Sequence, residues 1–121
     1  MLPFPALQGI SGPNPYDDTV LNRLDDLMVN AKDFGIKLMI SIHSFNSLEA
    51  KNDFYGNWYG TGSFYTDASA KKYFQDRIYH VLAHVNPHNG KPWSQCSDYI
   101  FAFEAQNEAM NNDVGLYTLC C

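Results

Sequence analysis

Two short apolar runs, each placed after a stretch with helical periodicity, limit most strongly what this chain can fold into. Residues 36–43, IKLMISIH, and residues 99–103, YIFAF, have the length and apolar character of buried strands. In each stretch before them, apolar residues recur every three or four positions, as in an amphipathic helix. The order helix, strand, helix, strand predicts an α/β fold whose two strands run parallel and are joined by a right-handed crossover.

The two helices are predicted over residues 17–34 and 68–85. Side-chain oxygens can cap their first turns, and glycine or proline can end them. The predicted N-caps are Asp17 or Asp18 and Thr66 or Asp67, and the predicted stops are Gly35 and Asn86-Pro87. The apolar stripe of the second helix is predicted to contain Ala70, Tyr73, Phe74, Ile78, Val81, Leu82 and Val85.

Polar residues follow both predicted strands at the points where the strands end. His43 ends the first strand, and Asn107 and Glu108 end the second. The carboxyl ends of parallel strands lie at the same edge of a sheet, and this edge is where α/β folds bind their ligands. We therefore expect these three side chains to converge on one candidate site.

The two faces of the strands differ in polarity, and this difference favours a sheet closed into a barrel. The first strand is expected to be covered on both sides. Phe101 and Phe103 are expected to point outward into a helix layer, while Glu104 points inward with Ser41 and Met39. A polar inner face beneath an apolar outer face is typical of a closed barrel below an active site.

A segment of about 23 residues, 44–66, connects the first strand to the second helix and is predicted to be a long loop. Residues 54–65 of this segment include six aromatic residues, which are Phe54, Tyr55, Trp58, Tyr59, Phe64 and Tyr65. Flat aromatic rings can bind the apolar faces of sugars, and Trp58 and Tyr59 are the best candidates for this contact. The alternative is that the rings pack on one another and order the loop.

Composition and charge exclude several other classes of function. The net charge is −5, and the eight Lys and Arg residues form no run, so nucleic acid is not an expected partner. No apolar stretch is long enough to span a membrane. The three cysteines have neither a disulfide-framework nor a metal-site spacing. His80 and His84 lie one helical turn apart, but a solvated helix face is expected rather than a metal site, and no cofactor is predicted.

FEAQNEAM, residues 103–110, resembles the fourth-strand motif of the clan A glycoside hydrolases, which are (β/α)8 barrel enzymes with an Asn-Glu acid/base motif. The preceding LNRLDDLMVNAKDFGIKLMISIHS is similar to the helix and third strand of these enzymes. The resemblance is greatest to family 5, in particular to the fungal secreted β-mannanases and cellulase-like enzymes, and it covers about residues 7–110. It implies a hydrolase of β-linked polysaccharide that is secreted, although the N-terminus lacks the features of a signal peptide.

The resemblance also implies roles for particular residues. Glu108 is expected to be the general acid/base, and Asn107 to bind the substrate 2-hydroxyl or the nucleophile. His43 is expected to line the subsite, although a packed, hydrogen-bonded histidine is the alternative. Trp58 and Tyr59 are the remaining expected substrate contacts. These roles fit a retaining mechanism, in which a protonated carboxylic acid and a carboxylate nucleophile lie about 5 Å apart.

The chain departs from the family pattern in ways that limit its expected activity. The family places its nucleophile at the end of the seventh strand. The acidic residues of this chain that do not occupy that position are Glu49, Asp53, Asp67, Asp98 and Glu104. Residues 1–113 are therefore expected to be a fragment of the catalytic domain, with about two βα units of a truncated TIM barrel. Residues 114–121 form an atypical tail. Such a fragment is expected to show little hydrolysis alone and to self-associate through exposed strand edges.

Two alternative functions follow from the same features. In the first, the chain is a non-catalytic carbohydrate-binding fragment that uses the aromatic segment 54–65. In the second, it is an incomplete gene product without a function of its own. The sugar that is bound, and the choice between endo and exo action, are not specified by these residues.

Overall fold

The computed structural model describes residues 7–110. Its elements, in chain order, are α1 (Thr19–Asp33), β1 (Leu38–Ser41), α2 (Phe45–Ala50), α3 (Phe54–Trp58), α4 (Gly60–Ser63), α5 (Ala68–Ala83), β2 (Val85–Asn86), β3 (Lys91–Pro92), a 3-10 turn (Trp93–Gln95) and β4 (Ile100–Glu104). The structure is thus of mixed α/β type with two small sheets. The tail at 114–121, with Cys120 and Cys121, lies outside the described residues.

The first predicted helix is confirmed, and it ends just before the predicted Gly35. Its N-cap residue is Asp18, which makes no side-chain cap hydrogen bond. Asp17 Oδ1 accepts hydrogen bonds from the backbone N–H of Thr19 at 3.0 Å and from its hydroxyl. At the other end Gly35 has φ 72°, which glycine adopts without steric cost, and its N–H donates to the carbonyl of Lys32 at 2.9 Å. Leu21 and Met28 of α1 are completely buried, whereas Leu27 is 48% exposed.

The two predicted strands pair in parallel, as expected, through β1 and β4. Ile40 lies opposite Phe103 and Ser41 lies opposite Glu104, but the register shifts near Leu38, where β4 contains one extra residue. This bulge explains why the prediction for Phe101 is wrong: its side chain is 77% exposed instead of covered by helices. Phe103, by contrast, packs against the core as predicted.

The expectation that β1 is covered on both faces is also wrong within residues 7–110. Ile40 is only 4% exposed on one face, whereas Met39 on the other face is 60% exposed. A two-stranded sheet with its helices on one side leaves the opposite side open to solvent.

The second predicted helix is confirmed as α5, with Asp67 as its cap. Asp67 Oδ1 accepts from the N–H groups of Ser69 at 2.9 Å and Ala70 at 3.0 Å. The helix ends at Ala83. A proline at position 87 would clash with the carbonyl four residues earlier, which is that of Ala83. Val85 therefore lies outside the helical stripe, half exposed, and belongs to the short antiparallel pairing of β2 with β3.

The predicted long loop at 44–66 is instead mostly helical, forming α2, α3 and α4. Each of these helices is too short to produce a readable periodicity, so the sequence pattern resembles that of a loop. Asp53 caps α3 by accepting from the N–H of Gly56 at 2.7 Å. Gly56 lies so close to the backbone of α2 that an added Cβ would lie 2.7 Å from the Ser47 carbonyl oxygen.

Three histidines follow one another around the end of α5, and they differ in exposure. The solvated face expected for His80 and His84 is present only in part, because the side chain of His84 is mostly buried and that of His80 is partly exposed; His88, beyond the helix, is exposed. Each ring contacts a different carboxylate of α1 or of its start: His80 contacts Asp18, His84 contacts Asp25 and His88 contacts Asp26, at 2.6, 2.7 and 2.7 Å. These contacts join α1 to the end of α5 and the turn beyond it. Among residues 7–110, no group of three or more metal-ligating side chains is present, and no helix is suited to cross a membrane.

Candidate active site

The ends of β1 and β4 remain joined beyond the strands themselves. The N–H of Ile42 donates to the carbonyl of Glu104 at 2.8 Å, and the N–H of Asn107 donates to the carbonyl of His43 at 2.9 Å. The N–H of Phe45 then donates to the carbonyl of Asn107 at 3.0 Å. The predicted meeting of the strand ends at one edge of the sheet is therefore confirmed for the backbone of His43 and Asn107, with Glu108 next in the chain.

Glu108 stands at the end of this joined backbone with its carboxylate exposed to solvent. Its φ of 54° places it in the left-handed region, which non-glycine residues seldom adopt. Such conformations cluster at functional sites because the surrounding structure must hold them in place. The N–H and the carbonyl of Asn107 are both hydrogen-bonded, so the backbone that leads into Glu108 is held in place.

His43 lies beneath this edge with 2% of its surface exposed, and both of its ring nitrogens have partners within the chain. Nε2 lies 2.6 Å from Asp53 Oδ2, and Nδ1 lies 3.0 Å from Gln106 Nε2. Gln106 Oε1 accepts from the hydroxyl of Tyr65 at 2.6 Å. These contacts correspond to the packed, hydrogen-bonded alternative, and a contact between His43 and substrate stays a prediction.

The buried groups of this network differ from free side chains in their ionisation. Burial lowers the pKa of His43, and the nearby Arg77 guanidinium acts in the same direction, although the hydrogen bond to Asp53 opposes them. For Asp53, burial alone would raise the pKa. The hydrogen bonds from His43 and from the Gly56 N–H outweigh it, so that the pKa of Asp53 lies below its ordinary value. Asp53 is therefore a carboxylate, and the imidazole of His43 is stabilised in its neutral form.

Arg77 completes the buried polar layer, although it lies within the predicted apolar stripe of α5. It is 1% exposed, its Nε donates to the carbonyl of Ile42 at 3.0 Å and its NH1 donates to Gln8 Oε1 at 3.0 Å. The guanidinium thus holds the backbone of the first strand's end and the N-terminal segment at the same time. No periodicity signals such a residue, because its partners lie far away in sequence.

The polar inner face predicted for the sheet is present at Ser41 and Glu104. Their side chains lie on paired positions of β1 and β4, and the Ser41 hydroxyl donates to the Glu104 carboxylate. Glu104 is half-buried rather than fully buried. The neighbouring strand thus supplies a hydrogen-bond donor to this carboxylate.

The aromatic residues of segment 54–65 divide into two groups. The rings of Phe54, Tyr55, Phe64 and Tyr65 are buried and contact one another, which is the packing alternative. Trp58 is 49% exposed, although its ring also contacts Phe54 and Tyr73 edge to face. Tyr59 is half-buried, and its hydroxyl contacts the hydroxyl of Ser69 at 2.8 Å. Trp58 and Tyr59 are thus the members of this segment that remain open to a ligand.

An open groove of about 480 Å³ lies elsewhere, between the N-terminal segment and α5. It is lined by Pro13, Asn14, Tyr16, Tyr73, Asp76, Tyr79, His80 and Ala83. The Asp76 carboxylate in this groove contacts the ammonium group of Lys72, and His80 contacts Asp18. None of the predicted site residues lines this groove, so the strand ends are the better candidate for an active site.

Similarity to known proteins relates the chain to the glycoside hydrolases. The chain is 31% identical over 108 residues to mannan endo-1,4-β-mannosidase 5 and to mannan endo-1,4-β-mannosidase 2 of Solanum lycopersicum. It is 30% identical over 105 residues to mannan endo-1,4-β-mannosidase 1 of Arabidopsis thaliana. No family model matches the chain.

The matched region covers most of this chain but only a small part of each relative. It includes 82% of the chain and 26% of the Solanum proteins, and 84% of the chain and 25% of the Arabidopsis protein. The chain therefore spans about a quarter of the length of these relatives. All three are plant proteins, so the similarity supports a relation to glycosidases but not the fungal affinity expected from the sequence.

Proposed function

We propose that residues 1–113 are part of a (β/α)8 catalytic domain of glycoside hydrolase family 5 that cleaves β-linked polysaccharide of the mannan type. The observation that carries this proposal is the pairing of the strand ends, because it puts Asn107 and the exposed Glu108 at the carboxyl edge of a parallel sheet. The mannosidase relatives agree with this substrate class. An extracellular location is part of the same proposal.

Glu108 acts in this proposal as the general acid/base. In a retaining mechanism the acid protonates the glycosidic oxygen as the bond breaks, and later takes a proton from the attacking water. Asn107, beside it on the same strand end, hydrogen-bonds the 2-hydroxyl of the sugar or the nucleophile. Trp58 and Tyr59 offer aromatic surface to a sugar ring. No metal or cofactor takes part.

The reaction also needs a carboxylate nucleophile about 5 Å from the acid. We assign this role to no carboxylate of the present chain. The 121-residue chain is therefore proposed to carry the acid/base half of the machinery and to hydrolyse polysaccharide only in the context of a complete barrel.

A chimeric enzyme tests the role of Glu108. Residues 7–110 replace the corresponding quarter of mannan endo-1,4-β-mannosidase 5 of Solanum lycopersicum, which supplies the rest of the domain. We expect the chimera to hydrolyse mannan and Glu108→Gln to lower kcat by about 10²- to 10⁴-fold, because general acid catalysis contributes this much. The loss should be smaller for aryl mannosides whose leaving group needs no proton. The matched control, Glu49→Gln, alters an exposed carboxylate of α2 and should retain activity.

Two outcomes would contradict the proposal: a folded chimera without hydrolysis, or full activity in the Glu108→Gln variant. Binding of mannan oligosaccharides that survives Glu108→Gln but is lost in Trp58→Ala, in a folded chimera that does not hydrolyse them, would instead favour the non-catalytic carbohydrate-binding function.

A further inference from the structure

A chain of buried hydrogen bonds leads from α3 to the residue just before Asn107-Glu108. It consists of Asp53, His43, Gln106 and Tyr65, each of which is at most 6% exposed. Asp53 also accepts from the Gly56 N–H, so its second oxygen is fixed toward Nε2 of His43. The network therefore runs from the cap of α3 through His43 and Gln106 to the Tyr65 hydroxyl.

Two arrangements of protons satisfy these contacts. In the first, the Tyr65 hydroxyl donates to Gln106 Oε1, and the Gln106 amide N–H donates to His43 Nδ1, so that Nε2–H donates to Asp53. In the second, the Gln106 amide is reversed, Tyr65 accepts, and His43 carries protons on both nitrogens. The first contains a neutral imidazole and the second contains an imidazolium.

The surrounding charges decide between the two arrangements. The charged side chains that act on the His43 ring, in the part of the chain that the structure describes, are the Asp53 carboxylate and the Arg77 guanidinium. A second proton on His43 would place a positive charge near the Arg77 guanidinium in a region from which water is excluded, which is costly.

We propose that Asp53, Gln106 and Tyr65 are positioning residues that hold His43 as a neutral imidazole with its proton on Nε2, and thereby fix the strand end that presents Glu108. The fixed side chain of Gln106 anchors the residue before Asn107, and the His43 carbonyl accepts from the Asn107 N–H. His43 has no free nitrogen in this arrangement, so it neither binds substrate nor acts as a base. The proposal that Glu108 is thereby placed for catalysis rests on the proposed glycosidase function.

Histidine nitrogen resonances of the full chain test the arrangement directly, without any need for activity. Above the ordinary histidine pKa of about 6.5, we expect Nε2 of His43 to give a protonated, pyrrole-type signal and Nδ1 an unprotonated, pyridine-type signal. Gln106→Glu replaces the amide donor by a carboxylate acceptor and should convert His43 to an imidazolium with two pyrrole-type nitrogens. Gln95→Glu, at an exposed glutamine, is the matched control and should leave the His43 signals unchanged.

Tyr65→Phe provides a milder variant if Gln106→Glu fails to fold. It keeps the ring that packs against Phe64 and removes the hydroxyl that donates to the Gln106 amide. We expect the single His43 tautomer to be lost and the amide signals of Asn107 and Glu108 to shift. Two protonated nitrogens on His43 in the unmodified chain, or a proton on Nδ1 alone, would overturn the proposal.

The chimeric enzyme tests the positioning role separately. Tyr65→Phe should lower kcat about 10- to 100-fold with little change in KM, because a small misplacement of the acid costs this much while the network does not touch the sugar. An unchanged kcat would overturn the positioning role. If the unmodified chimera lacks activity, the proposed function fails, whereas the tautomer of His43 is still decided by the resonances.

Discussion

Buried carboxylates show, at the scale of single residues, how this chain satisfies its polar groups. Asp25 is 1% exposed, and its two oxygens accept from the indole N–H of Trp93 and contact the ring of His84, both at 2.7 Å. Asp53 is likewise buried, and its two oxygens are bonded to His43 and to the Gly56 N–H. Carboxylates in such positions are stabilising only while their partners remain in the correct protonation state.

The ionisation of His43 predicts a stability that falls as the solution becomes acidic. Its pKa in the folded chain lies below the ordinary value of 6.5, so the unfolded chain binds more protons between these two values. The stability that the neutral His43 contributes is complete above the ordinary histidine pKa and is lost progressively as pH falls below it. The free energy of unfolding should drop by up to ~1.4 kcal/mol per pH unit in this window.

Urea unfolding of the full chain at a series of pH values measures this slope. His43→Gln should remove the His43 contribution, so that the difference in unfolding free energy between the two proteins shrinks as pH falls. His88→Gln, at a more exposed histidine, is the comparison variant and should leave that contribution in place. A difference that grows toward acid pH would mean that His43 is cationic in the folded chain.

At the scale of elements, three short helices replace what the sequence pattern presents as a loop. Helices of four to six residues are unstable alone, so these three depend on the chain around them. Asp53 caps α3, which buries Phe54 and Tyr55, whereas α2 and α4 have no side-chain cap. The N-terminal turn of α3 carries Asp53, and the close approach of α2 to α3 occurs at Gly56. The packing of α2 against α3 therefore determines where Asp53 meets His43.

Gly56→Ala should disturb this packing, whereas Gly62→Ala should not. A Cβ at residue 56 would meet three backbone atoms of α2 and the residue after it at 2.7–2.9 Å, and backbone cannot move aside cheaply. We expect a loss of about 1–3 kcal/mol in unfolding free energy. At Gly62, in α4, an added Cβ meets nothing within 4 Å, so alanine should be neutral or should stabilise by about 0.4–1 kcal/mol.

Urea or thermal unfolding of the two variants gives both values. Equal stabilities for the two alanine variants would mean that α2 and α3 are not in close contact.

At the scale of the whole molecule, the described chain exposes apolar surface on its sheet. Met39 is 60% exposed and Phe101 is 77% exposed. Each strand of the β1–β4 sheet has one neighbour among residues 7–110, so its other edge is open for pairing. Surfaces of this kind favour association with another chain or with further strands.

We expect the isolated chain to self-associate through this sheet. Phe101→Lys should raise the dissociation constant at least about tenfold, because a charge in an apolar interface costs more than ~1.4 kcal/mol. Sedimentation velocity over a range of concentrations measures this change. Tyr79→Lys, at a similarly exposed ring of α5, is the control and should have little effect. A monomer at every concentration would exclude association through the sheet.

The sequence by itself determined α1, β1, α5 and β4, because hydrophobic periodicity and capping residues act over a few neighbouring positions. It also determined that His43 and Asn107-Glu108 converge, since parallel strands place their ends together. The placement of Asp67 as a cap and Gly35 as a stop follows from the same local chemistry.

Only the tertiary structure decided the partners of the buried polar side chains. Asp53, Gln106 and Tyr65 meet around His43, and Arg77 is buried within α5. Three histidines contact carboxylates of α1 or of the residue before it. These contacts join residues distant in sequence, so no local pattern encodes them. The bulge that exposes Phe101 and the short helices of segment 44–66 likewise depend on neighbours brought together by folding, because packing and hydrogen bonding across elements outweigh local preference there.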